Sequence, residues 1–204
     1  MESRLFKRGS ARARMTKIRF TPLMQRRLTR RALEMIRRSL EHFPELAQAS
    51  ITVGLTRKHL GSATVSYRKG RLAGLTIRLR VRKLSYQTIG HELTHLVQGL
   101  AYGDRTKKRL GARDSIPAGE KQCDIWTLAR DPLFCDDAPT YIRLPRALRE
   151  RWADYADPVR ELCIAAIARR HAERQYIRWL EKEIPKLARA PVEKKPAAQL
   201  ELPF

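Results

Sequence analysis

Around Ser50 the chain changes its hydrophobic period. Before that point, Met24, Leu28, Ala32, Ile36 and Leu40 recur at helical spacing behind a Thr21-Pro22 helix start, with arginines on the other face. After it, residues 51–53, 63–67 and 75–81 read as three strands, and Lys69-Gly70 marks a turn between the last two. Strand 75–81 alternates, with its arginines on one face. Helical spacing then returns. One helix is expected over about 85–100. A second runs from near 115–117 to Asp131-Pro132, a short one opens at Pro145, and a long one runs from Asp157-Pro158 through Leu180. The pattern predicts the α+β class and one domain over 21–183, between a flexible basic arm (1–20) and a Pro, Ala and Lys-rich tail (184–204).

Charge limits the partners. The chain holds 43 Lys and Arg against 21 acids, a net of +22. Residues 46–91 carry nine basic side chains and no acid. A block this one-sided predicts binding to a polyanion, namely DNA without sequence preference, through the arm and the sheet face. No apolar run approaches a membrane span. Cys123, Cys135 and Cys163 are scattered and odd in number, which fits a reducing, cytoplasmic setting better than a disulfide framework.

The chemistry concentrates in His91-Glu92-Leu93-Thr94-His95, an H-E-x-x-H sequence. On a helix the two imidazoles, four residues apart, share a face and can hold one metal ion. Glu92 is offset by part of a turn, where a carboxylate can take a proton from water acidified by zinc. Ile89, Leu93, Leu96, Val97 and Leu100 form the apolar side that buries such a helix. A catalytic zinc needs a third protein ligand. Glu120 and Asp124, four apart on the next expected helix, supply a candidate ligand and a candidate acceptor for the outer N–H of a ligand histidine.

H-E-x-x-H followed by E-x-x-x-D on a second helix resembles the gluzincins. The stretch Glu120-Lys121-Gln122-Cys123-Asp124-Ile125-Trp126 is similar to the glutamate helix of the ImmA/IrrE peptidases. The resemblance covers roughly residues 50–130. It implies a zincin-like fold: a small, mainly antiparallel sheet with a backing helix, an active-site helix and C-terminal helices. It also implies zinc on His91, His95 and Glu120, Glu92 as general base, and extended substrate paired to strand 75–81. The chain departs from two related patterns. Gln98 stands where metzincins have glycine, and the next histidine after His95 is His171, too distant for a SprT-type site. Tyr102, Tyr141, Tyr155 and His171 are candidates for stabilising an oxyanion.

The chain ends Gln199-Leu200-Glu201-Leu202-Pro203-Phe204, which resembles the Q-L-x-L-x-F peptide that docks bacterial replication and repair proteins on the DNA polymerase sliding clamp. Leu202 and Phe204 would fill an apolar pocket, with Leu200 beside them and Gln199 as polar anchor. These features together predict a cytoplasmic zinc endopeptidase associated with DNA, degrading proteins bound or crosslinked to it. SprT-like repair proteases combine such features, by analogy only. Two alternatives remain: an ImmA/IrrE-like peptidase that cleaves a repressor, and a basic nucleic-acid-binding protein whose zinc is structural.

Overall fold

Two threonines decide how the N-terminal part folds. Thr21 caps α1 (Pro22–Gln25) by accepting from the Met24 amide, and Thr29 caps α2 (Arg30–Glu41) by accepting from the Ala32 amide. The continuous helix expected over 21–40 is therefore two helices, because the second cap restarts the hydrogen-bond ladder. The computed structural model describes residues 16–103 and 115–188. Residues 1–15 of the expected arm, the tail beyond 188 with Gln199, Leu200, Leu202 and Phe204, and the Tyr102 side chain lie outside the described residues.

The fold is α+β. Four strands, β1 (Lys17–Phe20), β2 (Ser50–Leu55), β3 (Gly61–Arg68) and β4 (Arg71–Leu79), form one sheet in the order β1-β2-β4-β3. The sheet is mixed rather than mainly antiparallel: β1 and β4 both run parallel to β2, and only β3 and β4 are antiparallel. Strand β1 falls inside the stretch expected to be a flexible arm. Its four residues were too short a run to register as a strand, but Ile18 and Phe20 pack on the core beside Ile51 and Val53. The β3–β4 turn is built as its sequence requires, with positive φ at Lys69 (51°) and Gly70 (75°).

One face of the sheet is apolar and covered. Ile51, Val53, Leu75, Ile77 and Leu79 are buried against Met35, Ile36 and Leu40 of α2 and against Ile89, Leu93 and Leu96 of α3 (Tyr86–Gly103). The start of α3 is capped twice over. Ser85 accepts from the Thr88 amide, and the Asp136 carboxylate accepts from the Tyr86 and Gln87 amides at 2.8 Å each. Helix α4 (Glu120–Arg130) begins later than expected, after Gly119 at φ 119°. It joins α5 (Arg146–Glu150), α6 (Trp152–Arg169) and α7 (Tyr176–Leu187) around a second apolar cluster that includes Leu128, Val159, Cys163, Leu180 and Ile184. Trp126 packs on both clusters.

The single long helix expected over 157–180 is instead α6 and α7. Pro158 lies inside α6 rather than at its start, and a turn after Arg169 lets Tyr176, Leu180 and Ile184 fold back on the α6 face. One straight helix could not bury both apolar faces against each other.

Helix α3 is held by close contact at the residue before its first histidine. A Cβ on Gly90 would lie 2.6 Å from Phe134 Cδ1 and 2.7 Å from Thr127 Cγ2. Gly90→Ala is therefore expected to destabilise the fold by about 1–3 kcal/mol through overpacking. Chemical denaturation checks it, and an unchanged midpoint would mean that Phe134 and Thr127 yield without cost.

Candidate metal centre

Four polar residues form one stripe along α3: Gln87, His91, His95 and Gln98, spaced at four, four and three residues. All but His95 are buried. A buried polar side chain is stable only when its hydrogen bonds are met, and each of these has a partner near the start of α4.

The stripe converges on two carboxylates. His91 Nδ1 is 2.8 Å from Asp124 Oδ1, and His91 Nε2 is 3.0 Å from Glu120 Oε2. His95 Nε2 is also 3.0 Å from Glu120 Oε2, and its Nδ1 is 3.0 Å from Gln98 Oε1. The structure thus brings His91, His95, Glu120 and Asp124 together. It sets Asp124 on the Nδ1 side of His91 and Glu120 between the two imidazoles.

The hydrogen bonds place a proton on each Nδ1. Asp124 is fully buried, and as a carboxylate it only accepts, so His91 carries its proton on Nδ1. Gln98 donates its amide N–H to the carbonyls of Pro117 and Gly119, so its oxygen accepts from His95 Nδ1–H. Both Nε2 atoms are aimed at the same Glu120 oxygen: protonated, each donates a hydrogen bond to it, and deprotonated, each offers a lone pair at that point. Two neutral imidazoles and a carboxylate form a donor set that suits zinc.

Asp124 is anchored from all sides. Besides His91, Gln87 Nε2 donates to Oδ1 at 3.1 Å, and the amides of Tyr141 and Ile142 donate to Oδ2 at 2.6 and 3.0 Å. The Tyr141 ring lies stacked on His91, with centroids 5.4 Å apart. Of the three oxyanion candidates whose side chains are described, Tyr141 stands at this centre. Tyr155 is buried in the second apolar cluster, and His171 is exposed just after α6.

Electrostatics follow from this crowding. Burial works against a charge on His91, but the Asp124 and Glu120 carboxylates outweigh it and raise its pKa. Burial alone would raise Glu120, yet hydrogen bonds from His95 and His91 bring it below the ordinary carboxylate value. Glu92 is pushed up to about 7, chiefly by burial; His91 opposes the shift and the charge of Glu120 adds to it.

Compared with protein-family models, with curated proteins and with solved structures, the chain matches none.

Four features of the centre were not anticipated. Gln98 holds His95. Gln87 and the Tyr141–Ile142 amides hold Asp124. Gly61 at the start of β3 abuts Glu92: a Cβ there would lie 2.4 Å from Glu92 Oε1. Finally, Cys123 brings its thiol within 4.8 Å of the histidine ligand atoms. That thiol is buried, and burial, then the charges of Glu120, Asp124 and Glu92, push its pKa far up. The sequence signal for the glutamines was their helical spacing from the histidines.

One expectation is corrected. Strand 75–81 cannot pair with substrate, because β4 has β2 on one side and β3 on the other. The edge strand beside the centre is β3, which reaches α3 through Gly61 and through a 3.0 Å hydrogen bond from the Tyr67 hydroxyl to the Gly99 carbonyl.

Gln98→Leu is expected to lower zinc affinity about 10-fold, because His95 loses the acceptor that orients it. Chelator competition measures this, and wild-type affinity would show that Gln98 only ties α3 to the loop before α4.

Proposed function

We propose that the chain is a zinc-dependent endopeptidase that acts on proteins bound to DNA. The observation that carries this reading is the convergence of His91 Nε2 and His95 Nε2 on one Glu120 oxygen, 3.0 Å from each, with Glu92 on the same helix beside an edge strand. A zinc ion held by those three residues would supply Lewis acidity to a carbonyl and to water. Glu92 takes the proton from the attacking water and passes it to the leaving amine. Substrate in extended form adds to the edge of β3, where backbone hydrogen bonds give affinity without demanding a sequence. Asp124 and Gln98 hold the imidazoles still while this happens.

A net charge of +22 supports DNA as the scaffold on which substrates are met. Among the described residues no helix is long and apolar enough to cross a membrane, and the three buried cysteines are unpaired, in keeping with a cytoplasmic protein. The C-terminal peptide supplies the route to replicating DNA. A peptide of residues 190–204 is expected to bind a bacterial sliding clamp with micromolar affinity, since a short free peptide loses freedom on docking. Leu202→Ala with Phe204→Ala should abolish that binding and Gln199→Ala should weaken it less; no measurable clamp affinity would remove this partner.

The Cys123 thiol favours a second reading. If it completes the set with His91, His95 and Glu120, four protein ligands leave no position for substrate, and the metal is structural. Cys123→Ser separates the two. Retained zinc and cleavage support the peptidase; loss of zinc supports the closed site.

The deciding experiment incubates the full chain with zinc, DNA and a panel of DNA-binding proteins. Cleavage that stops with Glu92→Gln supports the proposal. No cleavage of any protein overturns it. Cleavage confined to one repressor, independent of DNA, supports a repressor-cleaving peptidase instead.

A further inference from the structure

The sheet has a second face, which the metal centre does not use. Alternation sends Lys17 and Arg19 of β1, Ser50, Thr52 and Gly54 of β2, Thr76 and Arg78 of β4, and Ser62, Thr64 and Ser66 of β3 away from the apolar core. The pairing register lines these residues up in rows. Arg19 stands beside Thr52, then Thr76, then Thr64. The next row runs Gly54, Arg78, Ser62. The face carries hydroxyls, glycine and three cations, and neither an acid nor an aromatic ring.

Gly54 matters to its shape. A Cβ there would lie 3.3 Å from Arg78 Cγ, so the Arg78 stem lies across the glycine toward β1. With strands about 4.8 Å apart and a rise of about 3.3 Å per residue, the Arg19 and Arg78 backbones are roughly 12 Å apart and those of Lys17 and Arg19 roughly 6.6 Å. More cations flank the face at both ends: exposed Arg57 and Lys58 in the β2–β3 loop and Arg82 and Lys83 after β4, with Arg68, Lys69 and Arg71 at the hairpin. A side of a protein this rich in cations attracts anions.

We infer that this outer sheet face is a docking surface for the phosphate backbone of duplex DNA, with Lys17, Arg19 and Arg78 on phosphates and the threonine row donating hydrogen bonds between them. The inference deepens the DNA association proposed above and rests on it. The occupant follows from chemistry. Guanidinium groups and hydroxyls together match phosphate oxygens. Single strands are held mainly by stacking on aromatic rings, and this face has none. Contacts to backbone alone carry no sequence preference.

The test uses the full chain and a fluorescein-labelled duplex of mixed sequence, titrated over a range of salt, with a single strand of the same length in parallel. Lys17→Ser, Arg19→Ser and Arg78→Ser together are compared with a control of equal charge, Arg174→Ser, Arg178→Ser and Lys182→Ser, on and before α7. Each phosphate contact contributes about 0.9 to the slope of log affinity against log salt. The sheet triple should flatten the slope by about 2–3, and the control should leave it nearly unchanged. Thr64→Glu, a single exposed change on the same face, should also weaken binding. Equal effects of the two triples, with wild-type binding intact, would overturn the face and leave DNA association standing. Tighter binding of the single strand would overturn the duplex as occupant. No binding by the wild type even at low salt would remove both the face and the DNA reading.

Discussion

Glu92→Gln is expected to retain wild-type zinc content and to lose peptide cleavage by about 10²–10⁴-fold, the usual contribution of a positioned general base. The amide keeps the volume of the side chain beside Gly61 but cannot accept a proton. The ligands are untouched, so the loss should fall on kcat rather than on metal binding. His95→Ala and Glu120→Ala should do the reverse and strip the metal, because each removes an atom from the convergence point. Metal analysis and cleavage of a substrate protein, measured on the same preparations, check both. Full activity in Glu92→Gln would sink the mechanism. Unchanged zinc content in Glu120→Ala would exclude it as a ligand and point to Cys123 in its place.

The second large effect is expected at Asp124. Asp124→Asn should weaken zinc affinity by about 10–100-fold, as loss of an outer partner of a ligand histidine does. It should also cost stability, by about 2–4 kcal/mol, since one or two buried donors lose a charged acceptor. Both Asp124 oxygens face donors: His91 and Gln87 on one, the Tyr141 and Ile142 amides on the other. An asparagine has one acceptor oxygen, so its NH₂ must point at N–H groups on one side or the other. Chelator competition and denaturation together test this. Unaltered affinity and stability would reduce Asp124 to a helix residue with interchangeable partners.

The expected core of the centre came from local spacing. His91 and His95, and Glu120 and Asp124, share helix faces because of the 3.6-residue turn, and that turn needs no knowledge of the fold. The α+β class was legible for the same reason: the period of the apolar residues changes near Ser50 and changes back near Ser85. The apolar side of α3 was equally plain, and Ile89, Leu93 and Leu96 are fully buried.

What tertiary structure alone decided is everything that depends on which segments meet. Asp136 caps α3 from fifty residues away, and nothing at either position announces the other. Strand β1 exists because Ile18 and Phe20 find a place beside β2, a contact absent from a four-residue pattern. Sheet order made β3, not β4, the edge strand, and that choice set which backbone is open beside Glu92. Cys123 reads in sequence as one more buried thiol. Only the approach of α4 to α3 puts it near the imidazoles. Local periodicity therefore determined which polar residues share a helix face. Long-range packing, which no short window of sequence encodes, decided what surrounds those residues, what holds them in place and which strand edge lies beside them.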